Sequence, residues 1–277
     1  MESLSWQRHC KSLLRVIEKK KVSLFLLKIR EGKDINMNTA ILTGASSGIG
    51  SAIAKELLLL DYEVFGFGRN FESFLSWLSS DPEVSKYREN FHAVSMDLTR
   101  TGLLAEKIRE IKKQRLISLL INNAGAGYFG LHEELSPAML HEMVTINLEV
   151  PMLLTNLLLR DLKKNKGQII QISSVTAQKS SPHGCAYGAT KAGLTAFSES
   201  LFDEARKYGV SITCIHPDMT QSNFYRNADF QAADAPDTCL QPEDIAGAVR
   251  MLLTARPGMA VTSLTIKPQR HQLGKKA

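Results

Sequence analysis

Tyr187 and Lys191 stand four residues apart in Tyr187-Gly188-Ala189-Thr190-Lys191, and Ser174 lies thirteen residues before the tyrosine. A free tyrosine has a pKa of about 10 and is a poor base at neutral pH. A nearby cation stabilises the phenolate and lowers that value. On a helix, residues i and i+4 share a face one turn apart, so Lys191 can act on Tyr187. The Ser174 hydroxyl can hold a substrate oxygen beside the phenol. Together the three groups can move a proton to or from an oxygen held in place. Alone, the Tyr/Lys pair reads more readily as an ordinary pair on a helix surface; the set of three does not.

A second motif bears on what is held there. Thr43-Gly44-Ala45-Ser46-Ser47-Gly48-Ile49-Gly50 follows the apolar run Thr39–Leu42 and precedes Ser51–Leu60, which is apolar at helical spacing. This is a strand-to-helix switch. Its glycines allow a tight turn and close approach to a pyrophosphate, and the helix N-terminus offers free N–H groups and positive dipole to it. The segment Gly44 to Gly50, with Ser46, Ser47, Gly48 and Ile49, is the candidate phosphate cradle, although a glycine turn without ligand has the same letters. The spacing is Gly-x-x-x-Gly-x-Gly rather than the commoner Gly-x-Gly-x-x-Gly. A second apolar strand, Glu63–Phe67, leads to Gly68, Arg69 and Asn70. An NAD site places Asp or Glu near this strand end for the ribose 2′-hydroxyl. Here the place holds Gly68 and Arg69, and a guanidinium suits a 2′-phosphate. NADP is therefore preferred over NAD, with a solvated surface arginine as the alternative.

Further motifs agree with these: Asp97-Leu98, Asn122-Asn123-Ala124-Gly125, Asn147, and Pro217 to Ser222. With them the chain resembles a short-chain dehydrogenase/reductase of the single-domain type, from about Asn38 to about Pro268. The resemblance implies an NADP-dependent oxidoreductase that transfers hydride between nicotinamide and a carbonyl/alcohol substrate. It implies that Tyr187 is the general acid/base, that Lys191 lowers its pKa and bonds the nicotinamide ribose, and that Ser174 orients the substrate. Asn147 would hold a water linking Lys191 to a proton relay. Asp97, with Leu98, would contact the adenine, and Asn123, Ala124 and Gly125 would line the adenosine half of the site. Pro217 and Ser222 would meet the nicotinamide end. Pro217 is followed by Asp218 where the family has glycine, and Ser222 stands for its usual threonine. The resemblance also implies a homodimer or homotetramer through long helices near 147–164 and 186–207. The competing reading is a non-catalytic NADP-sensing protein on the same fold, which an intact Ser174/Tyr187/Lys191 set argues against. The C-terminal Leu264–His271 segment looks more like the hydroxy-acid branch than the steroid branch. Arg226 or Lys179 would then meet a carboxylate, unless each is simply a surface residue.

Apolar strand-like runs recur near 39–43, 62–67, 91–95, 116–122, 168–173, 210–215 and 261–266, with helical patterns between them. That alternation predicts an α/β fold, a parallel sheet with helices on both faces. By resemblance it is a Rossmann-type doubly wound, mostly seven-stranded sheet of order 3-2-1-4-5-6-7. Residues 37–277 are then one dinucleotide-binding and catalytic domain. Segment 217–240 is polar and follows the sixth strand; it is read as a mobile, partly helical substrate lid. Phe224, Tyr225 and Phe230 form its apolar wall or simply anchor it, and Tyr128, Phe129 and His183 are further pocket candidates.

The net charge of +6 hints at nucleic acid but is misplaced for it. Residues 1–36 carry nine Lys/Arg against four Asp/Glu, whereas the rest carries 25 against 24. The basicity belongs to an N-terminal extension, and no nucleic-acid partner is expected. Two readings of that extension stay open: a basic amphipathic helix for a membrane surface or partner, or translated upstream sequence before a natural start at Met37, which is preferred. No unbroken run of about 18 apolar residues occurs, so no membrane span is expected. Cys10, Cys185, Cys214 and Cys239 are scattered, with no metal-ligand spacing and no disulfide framework. A reducing, cytoplasmic setting fits. Cys185 reads as a packing residue.

Overall fold

A computed structural model of the chain describes residues 38–228, 230–232, 235, 237–270 and 272–275. The readings made on residues 1–36 lie outside them. Nine strands are described: β1 (Thr39–Thr43), β2 (Glu63–Gly68), β3 (Phe91–Ser95), β4 (Ile117–Asn122), β5 (Gln168–Ile172), β6 (Ser211–Pro217), β7 (Phe230–Ala232), β8 (Ser263–Ile266) and β9 (Leu273–Lys275). Seven of them form one sheet of order β3-β2-β1-β4-β5-β6-β8. Every neighbour pair in it is parallel. The expected order holds, with β8 as the seventh strand.

The strands read as continuous apolar runs because both faces are covered. Ala40 and Leu42 enter one core cluster while Ile41 enters the other, and Leu119 and Ile121 alternate with Leu120 in the same way. On the first face pack α1 (Gly48–Leu59), α2 (Glu72–Ser80) and α7 (Pro242–Leu253). On the second pack α3 (Thr101–Gln114), α4 (Pro137–Val144), α5 (Val150–Asn165) and α6 (Cys185–Ala205). The α3 stripe Leu104, Ile108 and Ile111, at spacings of four and three, shows the helical rule at work.

Pro137–Asn165, which joins α4 to α5 through a π-turn at Thr145–Glu149, is long and apolar enough by length and composition to cross a membrane. No unbroken apolar run was visible there because Thr145, Asn147 and Glu149 interrupt it. Half of its apolar window is buried in the fold. Val150, Leu154, Leu158 and Leu162 lie in the second core cluster, so its apolarity is that of a core helix.

Parallel strands end at the same edge of the sheet. Thr43, Gly68, Ser95, Asn122, Ile172 and Pro217 all fall there, and the glycine segment, Arg69, Asp97, Asn123, Ser174 and Asp218 follow them directly. Away from that sheet, β7 and β9 form an antiparallel ribbon that the sequence reading did not foresee.

Candidate active site

The glycine segment has the backbone its letters predicted. Gly44 and Gly48 lie at φ 68° and 55°, the left-handed region open to glycine. At Gly50 a Cβ would stand 1.9 Å from the Gly44 carbonyl oxygen, so no side chain fits. Helix α1 starts at Gly48 without a side-chain cap from Ser47 and without an acidic residue in its first turn. Its first amides are left to a ligand, and Ser46 to Gly50 line an open cleft. An uncapped helix start with glycine at positions 48 and 50 fits a pyrophosphate.

Asn123, Ala124 and Gly125 line the same cleft. Asn123 also does something unforeseen: its Nδ2 donates to the carbonyls of Thr43 (3.0 Å) and Gly44 (3.2 Å). Thr43 Oγ1 accepts from the Asn123 and Ala124 amides, each at 3.0 Å. The end of β4 thus holds the glycine turn in shape.

Arg69 is exposed at the cleft rim. Asp97 also lines it; the Thr99 amide, with smaller help from Arg100 and Arg69, holds its carboxyl below the usual range. Leu98 is buried beside it. Gly68 is tight, for a Cβ there would meet Ser46 Oγ at 2.9 Å. An acidic side chain would not fit at Gly68. Asn70 is not among the cleft-lining residues. Its Oδ1 accepts from the Glu72 amide (2.8 Å) and so starts α2.

Ser174, Tyr187 and Lys191 come together on the cleft floor, each under a tenth exposed. Ser174 follows β5 and caps a short turn by accepting from the Thr176 amide (3.2 Å). Its hydroxyl lies near enough to the Tyr187 phenol to lower that group's pKa a little. Burial, then the neighbouring Tyr225, push the Tyr187 pKa above its ordinary value. Lys191 lies one turn further along α6; its Nζ is 5.8 Å from the Tyr187 ring centroid and donates to the Ile172 carbonyl (2.8 Å). Burial lowers its pKa to about 8.

Asn147 sits in the π-turn and is fully buried. Its Nδ2 donates to Ala126 O (2.8 Å) and Thr190 Oγ1 (3.0 Å), and its Oδ1 accepts from the Ala126 amide (2.9 Å). Both amide hydrogens are taken by protein groups, so Asn147 braces the segment after β4 against α6. Thr190, which completes that brace, was missed: a threonine inside an apolar helix carries no local signal.

A layer behind Lys191 was also missed. Ser173 and Thr195 bond the Lys191 carbonyl, each at 3.0 Å, and Thr195 meets His216 Nε2 at 3.1 Å. Burial lowers the His216 pKa. This polar shelf fixes the helix turn that carries Lys191.

The segment after β6 covers the cleft. Pro217, Asp218 and Ser222 line it. Ser222 starts the 3₁₀ turn Asn223–Asn227 by accepting from the Phe224 amide (3.3 Å), so the partly helical expectation holds. Phe224 and Phe129 pack on the Tyr187 ring, at centroid distances of 5.5 and 5.4 Å. Tyr225 and Phe230 extend the wall. Tyr128 is not among the cleft-lining residues, but it donates to Oε2 of Glu142, which is, at 2.6 Å. His183 is exposed on the loop before α6, and Lys179 is exposed; neither is among the cleft-lining residues. The Arg226 side chain lies outside the described residues.

Comparison with known proteins follows this geometry. The short chain dehydrogenase family matches residues 38–232. A 3-oxoacyl-acyl-carrier-protein reductase of Buchnera aphidicola is 32% identical over 194 residues, 69% of this chain and 77% of its own length. A farnesol dehydrogenase of Aedes aegypti is 30% identical over 237 residues, 83% of this chain and 95% of its own. Among solved structures, an alcohol dehydrogenase from Thermococcus sibiricus, complexed with 5-hydroxy-NADP, superposes with a TM-score of 0.74 at 25% identity, covering 84% of this chain and 97% of that one.

Proposed function

The chain belongs to the short-chain dehydrogenase family, and we propose that it is an NADP-dependent oxidoreductase working on a carbonyl/alcohol pair, with Tyr187 as the proton donor and acceptor. The observation that carries this reading is the burial of Ser174, Tyr187 and Lys191 together on the floor of the cleft that the glycine segment opens. A binding protein that only sensed the cofactor would have no use for a buried proton donor there. The relatives' printed activities, 3-oxoacyl reduction and farnesol dehydrogenation, both interconvert carbonyl and alcohol.

The glycine segment and the start of α1 hold the pyrophosphate, Arg69 takes the 2′-phosphate, and Asp97 and Leu98 meet the adenine. The nicotinamide, when bound, supplies or takes up the hydride at the substrate carbon. Ser174 Oγ holds the substrate oxygen beside the Tyr187 hydroxyl. The phenol, kept protonated by burial, enters carbonyl reduction as a general acid and gives its proton to that oxygen. Lys191, still mostly charged at neutral pH, steadies the phenolate left behind. Phe224 and Phe129 keep water from the ring. We read two or four copies assembling through α5 and α6.

Cofactor choice tests the assignment of Arg69. Titration by nucleotide fluorescence should show NADPH bound at least tenfold tighter than NADH, and Arg69→Ala should remove the difference. Equal binding by the unaltered protein would refute the 2′-phosphate role.

A further inference from the structure

We propose that the substrate end of the cleft selects an uncharged apolar carbonyl compound and turns away carboxylates and phosphates, with Asp218 as the residue that sets this choice. The inference rests on the hydride-transfer reading above and names its substrate class.

The walls are aromatic. Phe224 and Tyr225 line the cleft beside Tyr187, and Phe129 and Phe230 pack against them edge to face and tilted, with neighbouring centroids 5.3 to 6.3 Å apart. Such rings offer large apolar area and few hydrogen bonds, which suits a ring or hydrocarbon chain beside the reacting carbonyl. The Tyr225 hydroxyl is the polar exception; burial and then the Asp218 carboxylate push its pKa up, which places Asp218 within electrostatic reach of this wall.

Asp218 and Glu142 line the cleft beside the aromatic wall and the Tyr128–Phe129 segment. Among the described cleft-lining residues the cations are Arg69 and Lys191. Arg69 stands at the far end, near Asp97. Lys191 lies beneath the tyrosine with its Nζ on the Ile172 carbonyl. An anionic substrate would therefore meet two carboxylates, while the nearest cation among the described lining residues, Lys191, is already engaged by the Ile172 carbonyl; burying so poorly paired a charge is strongly unfavourable. The hydroxy-acid leaning of the C-terminal segment is not supported by these charges. Asp218 directly follows Pro217 at the end of β6, with its amide fixed on the Ile266 carbonyl (2.9 Å), so its position belongs to the sheet rather than to a free loop.

The test uses the full chain with 4-acetylbenzamide and 4-acetylbenzoate, which share a ketone, a ring and a size but differ in charge. Binding is measured by titration into the NADP⁺ complex, which cannot reduce a ketone, and turnover by NADPH consumption. The neutral amide should bind and turn over at least tenfold better, and Asp218→Asn should narrow the gap several-fold. Equal or better use of the benzoate would overturn the inference, most directly if Arg226→Ala then abolished it. Failure of the amide to bind would overturn it too. Binding of the amide without turnover would leave the selectivity standing and count against the hydride-transfer reading instead.

Discussion

Lys191 carries the heaviest electrostatic demand at the site. Burial, opposed in part by Cys214, holds its pKa near 8, against about 10.4 for a free lysine. The sign follows: at pH values between these two, the unfolded chain binds more protons than the folded one, so stability rises with pH across that window. At neutral pH the folded protein bears the whole cost of the buried charge. Lys191→Met removes that cost. Wild type should therefore gain thermal stability relative to Lys191→Met between about pH 7.5 and 9.5. A difference in Tm that stays constant over this range would contradict a desolvated amine. Tyr187 moves in the opposite direction, its pKa raised by burial, so the proton affinities of the two groups are driven apart and the phenol holds its proton more tightly than the amine.

The segment after β6, our proposed lid, packs against the site where a glycine leaves room for its rings. A Cβ at Gly127 would stand 2.7 Å from Phe224 Cζ and 2.9 Å from Phe129 Cε2. Gly127→Ala must displace both rings from Tyr187. The ketone KM should rise several-fold while the NADPH dissociation constant stays unchanged; steady-state kinetics beside a nucleotide titration separates the two. An unchanged KM would mean that these rings do not form the substrate wall. The sheet strands were legible because parallel strands covered on both faces must be apolar throughout, as in Leu119-Leu120-Ile121. The glycine turn and the Tyr187/Lys191 helix were legible because their spacing is local. The β7–β9 ribbon was not: it pairs Phe230 with Lys275 across the whole of α7 and β8, and three-residue strands carry no pattern. Nor could the letters show that Asn70 starts a helix, that Asn123 braces the glycine turn, or that Tyr128 pairs with Glu142. Each depends on side-chain direction, which emerges only once the elements are packed.

At the scale of the whole molecule, the sheet makes a site from residues scattered between Gly44 and Ser222. Parallel pairing brings the C-terminal ends of its strands to one edge, and packed helices hold both faces. Contacts between segments then fix the parts against one another. Asn123 ties β4 to the glycine turn, Asn147 ties the segment after β4 to α6, and Gly48 lies close enough to Ser222 that a Cβ would approach it at 3.3 Å. The glycine turn, Tyr187 and the segment after β6 thus meet in one cleft at this edge, where we propose that they act together in hydride transfer. The most direct test is NADPH consumption with 4-acetylbenzamide by wild type and Tyr187→Phe, each first shown to bind NADPH equally. Loss of the phenolic proton should lower kcat by about 10² to 10⁴-fold. Turnover by Tyr187→Phe equal to wild type would contradict the account.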